Sequence, residues 1–180
     1  MDYRGLRQFL KRGGLIAYPT ESCYGLGCDP SNRRAVQRLL KLKGRPQRKG
    51  LILIAAAFRQ LRPYLAGLSA ADQQKIAATW PGPHTWLLPA TRTCPPWLTG
   101  GRSTIAVRVT AHPDAARLCR GLNMALVSTS ANASGAKPAR TYGECVRLFG
   151  AKVTVIPGRI GKRRRPSTIH DLASGAIIRS

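Results

Sequence analysis

The chain has 180 residues, 43% of them hydrophobic, which is enough to bury a core without metal ions or disulfides. Thirty Lys and Arg residues stand against seven Asp and Glu residues and give a formal net charge of +23. This imbalance favours a polyanionic ligand such as a nucleotide, a nucleic acid or a membrane surface; the alternative is a basic surface that is only solvated. The longest apolar run, residues 51–58, is too short to cross a bilayer, and the N-terminus has no apolar signal segment.

The cysteines and histidines argue against a metal site. Five cysteines without a Cys-x-x-Cys pair, together with three isolated histidines, provide no zinc-ligand spacing. We therefore expect no protein-bound metal, thiols that are mostly buried as small apolar groups, and a reducing, cytoplasmic location.

Apolar runs and amphipathic stretches alternate along the chain, and this order predicts an α/β domain with helices on a sheet. Five helices are predicted. The first covers residues 3–11, the second is capped by Ser31 or Asn32, and the third runs from a capping box at Ser69–Asp72 toward residue 79. The fourth begins at Pro113, and the fifth covers residues 141–150 and begins with a second capping box. The predicted strands cover residues 15–18, 51–54, 85–88, 104–109, 125–129, 168–172 and 176–178, and residues 19–32 are predicted as a loop.

Two polar segments directly follow predicted strands. Residues 18–27 read YPTESCYGLG, and residues 128–135 read STSANASG. A buried strand that runs into hydroxyls and glycines is a common ligand-binding arrangement in α/β sheets. The alternative is a turn that satisfies its own hydrogen bonds.

Two basic segments suggest phosphate ligands. Residues 41–50, KLKGRPQRKG, carry five cations where a helix ends. One or two of these offset the helix dipole, and those in the Pro/Gly loop suit a triphosphate. Residues 162–165, KRRR, predict a solvated loop that could face RNA.

Arg108 interrupts an otherwise apolar strand, where alternation places it on the same face as Ala106. A buried arginine needs an anion, and the scarcity of acids makes a ligand carboxylate a candidate. The alternative partner is Asp29, Asp114 or another internal acid. No Ser/His/Asp set with a recognisable elbow is present, and carboxylates are too few for a paired acid/base site. Catalysis would then depend on cations, hydroxyls and the backbone.

These segments, in this order, resemble the YrdC/TsaC family of threonylcarbamoyl-AMP synthases. The resemblance covers nearly the whole chain, and the length matches the short form of the family. The matching motifs are YPTE at 18–21, Lys-x-Arg-Pro at 43–46, KGLILIAA at 49–56, WPGP at 80–83, AVRV at 106–109, STSAN-x-SG at 128–135 and PSTI-x-D at 166–171.

The resemblance implies a single domain over residues 1–180, an open twisted sheet with helices packed on it and a large, concave, positive cavity. It implies synthesis of threonylcarbamoyl-AMP and pyrophosphate from L-threonine, bicarbonate and ATP, with Mg²⁺ brought by ATP rather than held at a protein site. It also implies tRNA or double-stranded RNA as a partner, and threonylcarbamoyl-transfer proteins acting downstream.

The resemblance also assigns residues to the two ligands. The nucleotide site would include the catalytic pair Lys43 and Arg45, together with Lys49, Thr104, Asn132 and Ser167. Threonine would be held by Ser22, Arg108 and Ser130, and Ser130 could touch both ligands. Three positions depart from the family pattern: Lys49 stands where longer members carry Asn, Ile54 where they carry a threonine-contacting His, and Cys23 at a usually aliphatic position.

Two other functions compete with this one. The charge of +23 also suits a non-catalytic module that binds double-stranded RNA or tRNA. A carbamoyl-transfer domain of the type found in hydrogenase-maturation proteins shares the fold family. Pyrophosphate release that depends on threonine and bicarbonate separates the first function from both.

Overall fold

The computed structural model describes residues 1–180 and folds as a single α/β domain. The helices are α1 (Tyr3–Lys11), α2 (Arg33–Lys43), α3 (Ala70–Ala77), α4 (Pro96–Thr99), α5 (Pro113–Leu122) and α6 (Tyr142–Phe149). The strands are β1 (Ile16–Pro19), β2 (Tyr24–Gly27), β3 (Ile52–Ala55), β4 (His84–Pro89), β5 (Thr104–Val109), β6 (Leu126–Ser130), β7 (Thr154–Val155), β8 (Thr168–Asp171) and β9 (Ile177–Arg179). No helix combines the length and the apolar character needed to span a bilayer.

All nine strands join one mixed sheet in the order β7-β1-β2-β6-β3-β5-β4-β8-β9. The pairs β1/β7, β3/β5 and β4/β8 are parallel, and the other neighbours are antiparallel. Strands β6, β3 and β5 lie side by side in the middle of the sheet. This order brings Arg108 of β5, the hydroxyl-rich end of β6 and the turn after β1 to the same region, although they are far apart in sequence.

Each face of the sheet has its own buried cluster. The larger one, of 29 residues, joins one face to side chains of α2, α4 and α6. The smaller one, of 10 residues, joins Ile54 of β3 and Leu126 of β6 to α1 and α5 on the other face. Helices α1 and α5 cover only part of that second face, because neighbouring positions on it, Ile52 and Ser128, line a cavity.

The local signals placed most elements correctly, within one or two residues. The Asn32 side chain accepts a hydrogen bond from the Ala35 amide and caps α2, and Thr141 and Glu144 form the predicted capping box of α6. The Ser69 side chain caps α3 through the Asp72 amide. The Asp72 carboxylate, however, accepts from the Ser69 hydroxyl, so the predicted capping box is a simple N-cap.

The prediction of a continuous loop over residues 19–32 was wrong, because β2 lies within it. This strand pairs with β1 on one side and β6 on the other and is completely buried. Its two glycines made the strand hard to predict from the sequence, because glycine is normally depleted in strands. Here glycine is required: a Cβ on Gly27 would lie 2.5 Å from the Val127 carbonyl oxygen. The two-residue edge strand β7 and the short helix α4 were also missed.

Candidate functional site

A cavity of about 330 Å³ opens on the part of the sheet that α1 and α5 leave uncovered. Ile52 of β3 and Ser128 of β6 are paired on neighbouring strands, and both line this cavity. Two residues further along the same face, Ile54 and Leu126 pack against α5 instead. The cavity therefore lies on the same sheet face as the smaller buried cluster, beyond the part that α1 and α5 cover.

The lining is cationic and rich in hydroxyls. Five arginines reach it, and it contains no Asp or Glu: the arginines are Arg45, Arg108, Arg140, Arg164 and Arg179. Hydroxyls come from the turn after β1, from the end of β6 and from the start of β8: Thr20, Ser22, Ser128, Thr129, Ser130 and Ser167. A site of this kind attracts anions and offers oriented donors, but it supplies no carboxylate for a dedicated cation site.

A tight turn between β1 and β2 presents one wall of the cavity. The amide and the hydroxyl of Thr20 both donate to the Cys23 carbonyl, at 3.0 and 2.7 Å. This closure directs Ser22 and Cys23 to the cavity, and Glu21 lines a separate cleft behind it.

Arg108, on β5, lies at the floor of the cavity and is only 7% exposed. Its Nη2 atom is 3.2 Å from Oε2 of Glu21, whose Oε1 accepts a hydrogen bond from Thr110 Oγ1 at 2.7 Å. Burial opposes ionisation of Glu21, but Arg108 and the Thr110 hydroxyl outweigh it, so the pKa of Glu21 lies below its ordinary value. The internal partner is therefore Glu21, and neither Asp29 nor Asp114.

Lys43, the last residue of α2, points into the loop after β6. Its Nζ donates to the carbonyls of Ser130 and Asn132, at 2.5 and 2.7 Å, and to Asn132 Oδ1 at 3.0 Å. Asn132 Oδ1 also accepts from Ser130 Oγ at 2.6 Å. All three ammonium donors are thus used within the protein. Burial, helped by Arg45, lowers the pKa of Lys43 to about 8.

Arg45 lines the cavity just beyond the end of α2. Its Nε donates to the Gly50 carbonyl, Nη2 donates to the carbonyls of both Lys49 and Gly50, and Nη1 makes no hydrogen bond within the protein. Burial and the nearby Arg102 lower the pKa of Arg45. The guanidinium is therefore held on one side and free to bind an anion on the other.

The last strands close the opposite wall. Ser167 precedes β8 and accepts a hydrogen bond from Thr85 Oγ1 at 2.9 Å. Arg179, on β9, donates to the Ser167 carbonyl through Nε and Nη2, at 3.2 and 2.9 Å. Burial, together with the charges of Arg108 and Arg45, lowers the pKa of Arg179, as expected for cations crowded around one cavity.

The structure gathers most of the predicted site residues. Five of them line the cavity: Ser22, Arg45, Arg108, Ser130 and Ser167. Lys43 and Asn132 support this lining through Ser130. Lys49 is exposed on a short 3₁₀ turn and Thr104 is half-buried at the start of β5, and both lie outside the lining. No group of three or more His, Cys, Asp or Glu side chains is placed to hold a metal ion.

Arg140, Arg164 and Arg179 were missed. Arg164 belongs to a basic run that the sequence suggested as a solvated RNA-facing loop, and the structure places it at the cavity instead. Arg140 follows the STSAN-x-SG segment, and Arg179 is the penultimate residue. No local pattern distinguishes these from the other arginines; only the sheet order brings them together.

Comparison with known proteins gives a consistent result. The Sua5/YciO/YrdC family model, described as "Telomere recombination", matches residues 8–180. A threonylcarbamoyl-AMP synthase of Thiobacillus denitrificans is 60% identical over 176 residues, which cover 98% of this chain and 94% of that protein.

Solved structures agree. The P. abyssi Sua5 structure complexed with L-threonine has a TM-score of 0.87 at 33% identity; the match covers 95% of this chain and 51% of that longer one. E. coli YciO has a TM-score of 0.85 at 26% identity, with 99% and 88% covered. The predicted resemblance is confirmed: the chain belongs to the Sua5/YciO/YrdC family.

Proposed function

We propose that this protein is a threonylcarbamoyl-AMP synthase, a nucleotidyltransferase that uses L-threonine, bicarbonate and ATP. The observation that carries the proposal is the cavity lined by five arginines and six hydroxyl side chains without a carboxylate. It lies in a chain that is 60% identical, over nearly its whole length, to a protein of that name. Both substrates of the adenylation step are anions, and the cavity offers cations to each.

The residues in and beside the cavity suit the two ligands. Arg45 and the Ser130–Asn132 loop would bind the nucleotide, with Lys43 fixing that loop through its three hydrogen bonds. Ser22, Arg108 and Ser130 would bind threonine, with Arg108 on its carboxylate. Ser167 would contribute a hydroxyl on the nucleotide side. Because Lys49 and Thr104 lie outside the lining, contacts from them require a ligand that extends beyond it.

The chemistry needs positioning and charge neutralisation rather than a general base of unusual strength. The amine of threonine adds to CO₂ from bicarbonate and loses a proton, and a carbamate oxygen attacks the α-phosphorus of ATP. The bond to the β,γ-phosphates breaks, and pyrophosphate leaves. Arginines around the phosphates stabilise the charge on the leaving group, and two anionic reactants can approach each other only among cations.

Magnesium would enter as part of the substrate MgATP. The absence of Asp and Glu from the lining leaves its coordination to phosphate oxygens and water, with at most hydroxyl or carbonyl oxygens from the protein.

An omission experiment tests the function. Pyrophosphate release from MgATP should require threonine and bicarbonate together, and leaving out either should reduce the rate to background. Pyrophosphate release at the same rate without threonine would contradict the proposal and favour a carbamoyl-transfer domain. No pyrophosphate release at all would favour a non-catalytic RNA-binding module.

We further propose that the basic surface binds tRNA, the class of molecule that the adenylate product would modify. Thirty cations face seven acids, and only three ion pairs form within the protein. Binding should weaken steeply with salt because neutralised phosphates release counterions. Changing Lys162 and Arg165, both exposed and outside the cavity lining, to alanine should weaken tRNA binding and leave adenylate formation unchanged.

The measurement is tRNA affinity between about 50 and 200 mM salt, the range over which phosphate contacts lose most of their affinity. A flat profile would mean that the surface is only solvated. Arg164 must be left intact in this test, since it reaches the cavity.

A further inference from the structure

Arg108 has more hydrogen-bond donors than the protein satisfies. A guanidinium carries five N–H donors, and the Nε of Arg108 is buried without any acceptor. Its only charged partner is Glu21, through Nη2. Arg108 lines the cavity, so the guanidinium N–H groups that Glu21 does not occupy are available to an acceptor from a ligand.

Glu21 approaches the guanidinium from outside the cavity. Arg108 lines the main cavity, whereas Glu21 lines a separate cleft beside His112, Lys162 and Arg163. The guanidinium therefore lies between a fixed protein carboxylate and the space for the substrate.

Glu21 is restrained through one carboxylate oxygen, Oε1, and through its backbone, whereas Oε2 contacts Arg108 through charge alone and accepts no hydrogen bond. Its Oε1 accepts from the Thr110 hydroxyl, and its backbone carbonyl accepts from the Arg163 amide at 3.1 Å. The Thr20–Cys23 closure fixes the turn that carries it. A carboxylate restrained in this way can hold its partner in one orientation.

The crowding of cations makes such a restraint necessary. Arg45 and Arg179 share the cavity with Arg108, and no acid lines it. Without Glu21, mutual repulsion would favour other side-chain positions for Arg108, away from the two neighbouring guanidinium groups.

We propose that Glu21 is a positioning residue for the amino-acid substrate: it holds the Arg108 guanidinium so that the remaining N–H groups meet the threonine carboxylate. This inference rests on the proposed function. It assigns to the glutamate of the YPTE segment a part in substrate orientation without contact with the substrate.

The test is Glu21→Gln, which keeps the size of the side chain and an acceptor for Thr110 but removes the charge. We expect the threonine KM to rise about tenfold, which corresponds to about 1.4 kcal/mol, while the ATP KM stays within about twofold. Asp114→Asn is the matched control, because it removes an acid that pairs with Arg117 outside the cavity. It should leave both KM values unchanged.

A double-mutant cycle with Arg108→Lys separates positioning from a general structural effect. If Glu21 acts through Arg108, the fold-increase in threonine KM of the double variant should be well below the product of the fold-increases of the two single variants. Multiplicative effects, or a rise in the ATP KM equal to that for threonine, would overturn the proposal.

If Glu21→Gln does not fold, Glu21→Asp serves instead, because it keeps the charge but shortens the reach by one methylene. Its threonine KM should rise several-fold, and a value equal to wild type would overturn the proposal. Failure of the proposed function looks different, because the wild-type protein would then show no threonine-dependent pyrophosphate release at all.

Discussion

Replacing Arg45 with alanine should weaken MgATP binding by about tenfold or more. Arg45 reaches the cavity, is held from behind by the Lys49 and Gly50 carbonyls, and keeps Nη1 free. A charge-assisted hydrogen bond to phosphate contributes about 1.5 to 3 kcal/mol, and its loss accounts for a change of this size. Isothermal titration calorimetry with MgATP measures the effect.

Two further variants make this result specific. Arg48→Ala removes an exposed arginine from the adjacent 3₁₀ turn, outside the lining, and should leave ATP affinity unchanged. Lys43→Ala removes three hydrogen bonds to the Ser130–Asn132 loop, so both ATP affinity and the melting temperature should fall. An Arg45→Ala protein with wild-type ATP affinity would contradict the nucleotide assignment.

Arg108→Lys should raise the threonine KM by about tenfold or more and change ATP binding little. Lysine keeps a charge for Glu21 but loses the planar fork that matches a carboxylate with two parallel hydrogen bonds. Because Arg108 is 7% exposed and paired, some loss of thermal stability should accompany the kinetic change. Threonine-dependent pyrophosphate release and a melting curve should be measured on the same preparation.

Arg117→Lys is the control for this substitution, since Arg117 pairs with Asp114 on the exposed surface of α5. It should alter neither the threonine KM nor the melting temperature appreciably. A destabilised Arg108→Lys protein with a normal threonine KM would mean that Arg108 serves only the ion pair with Glu21.

Local chemistry made much of the fold predictable from the sequence. Caps such as Asn32 and Thr141 act over three residues, and the alternation in β5 sets the face of Arg108 without reference to the rest of the chain. Strand β2 was not predicted because Gly27 is required by a long-range contact, the close approach of the Val127 carbonyl oxygen. Strand order depends on such approaches as well.

The site was predictable only where a motif marked it. Five residues that the resemblance assigns to the two ligands line the cavity: Ser22, Arg45, Arg108, Ser130 and Ser167. The Glu21–Arg108 pair joins positions 87 residues apart in sequence, and nothing local to Arg108 selects Glu21 from the seven acids. The inward direction of Lys43 is likewise set by the loop after β6, which meets the end of α2 only in the folded sheet.

Transfer of labelled carbon from bicarbonate tests the central claim most directly. Incubation of the protein with labelled bicarbonate, L-threonine and MgATP should give a labelled adenylate whose mass is that of AMP joined to carbamoylated threonine, with one pyrophosphate released per product. Formation of the labelled adenylate without threonine, or release of pyrophosphate without any labelled adenylate, would contradict the account.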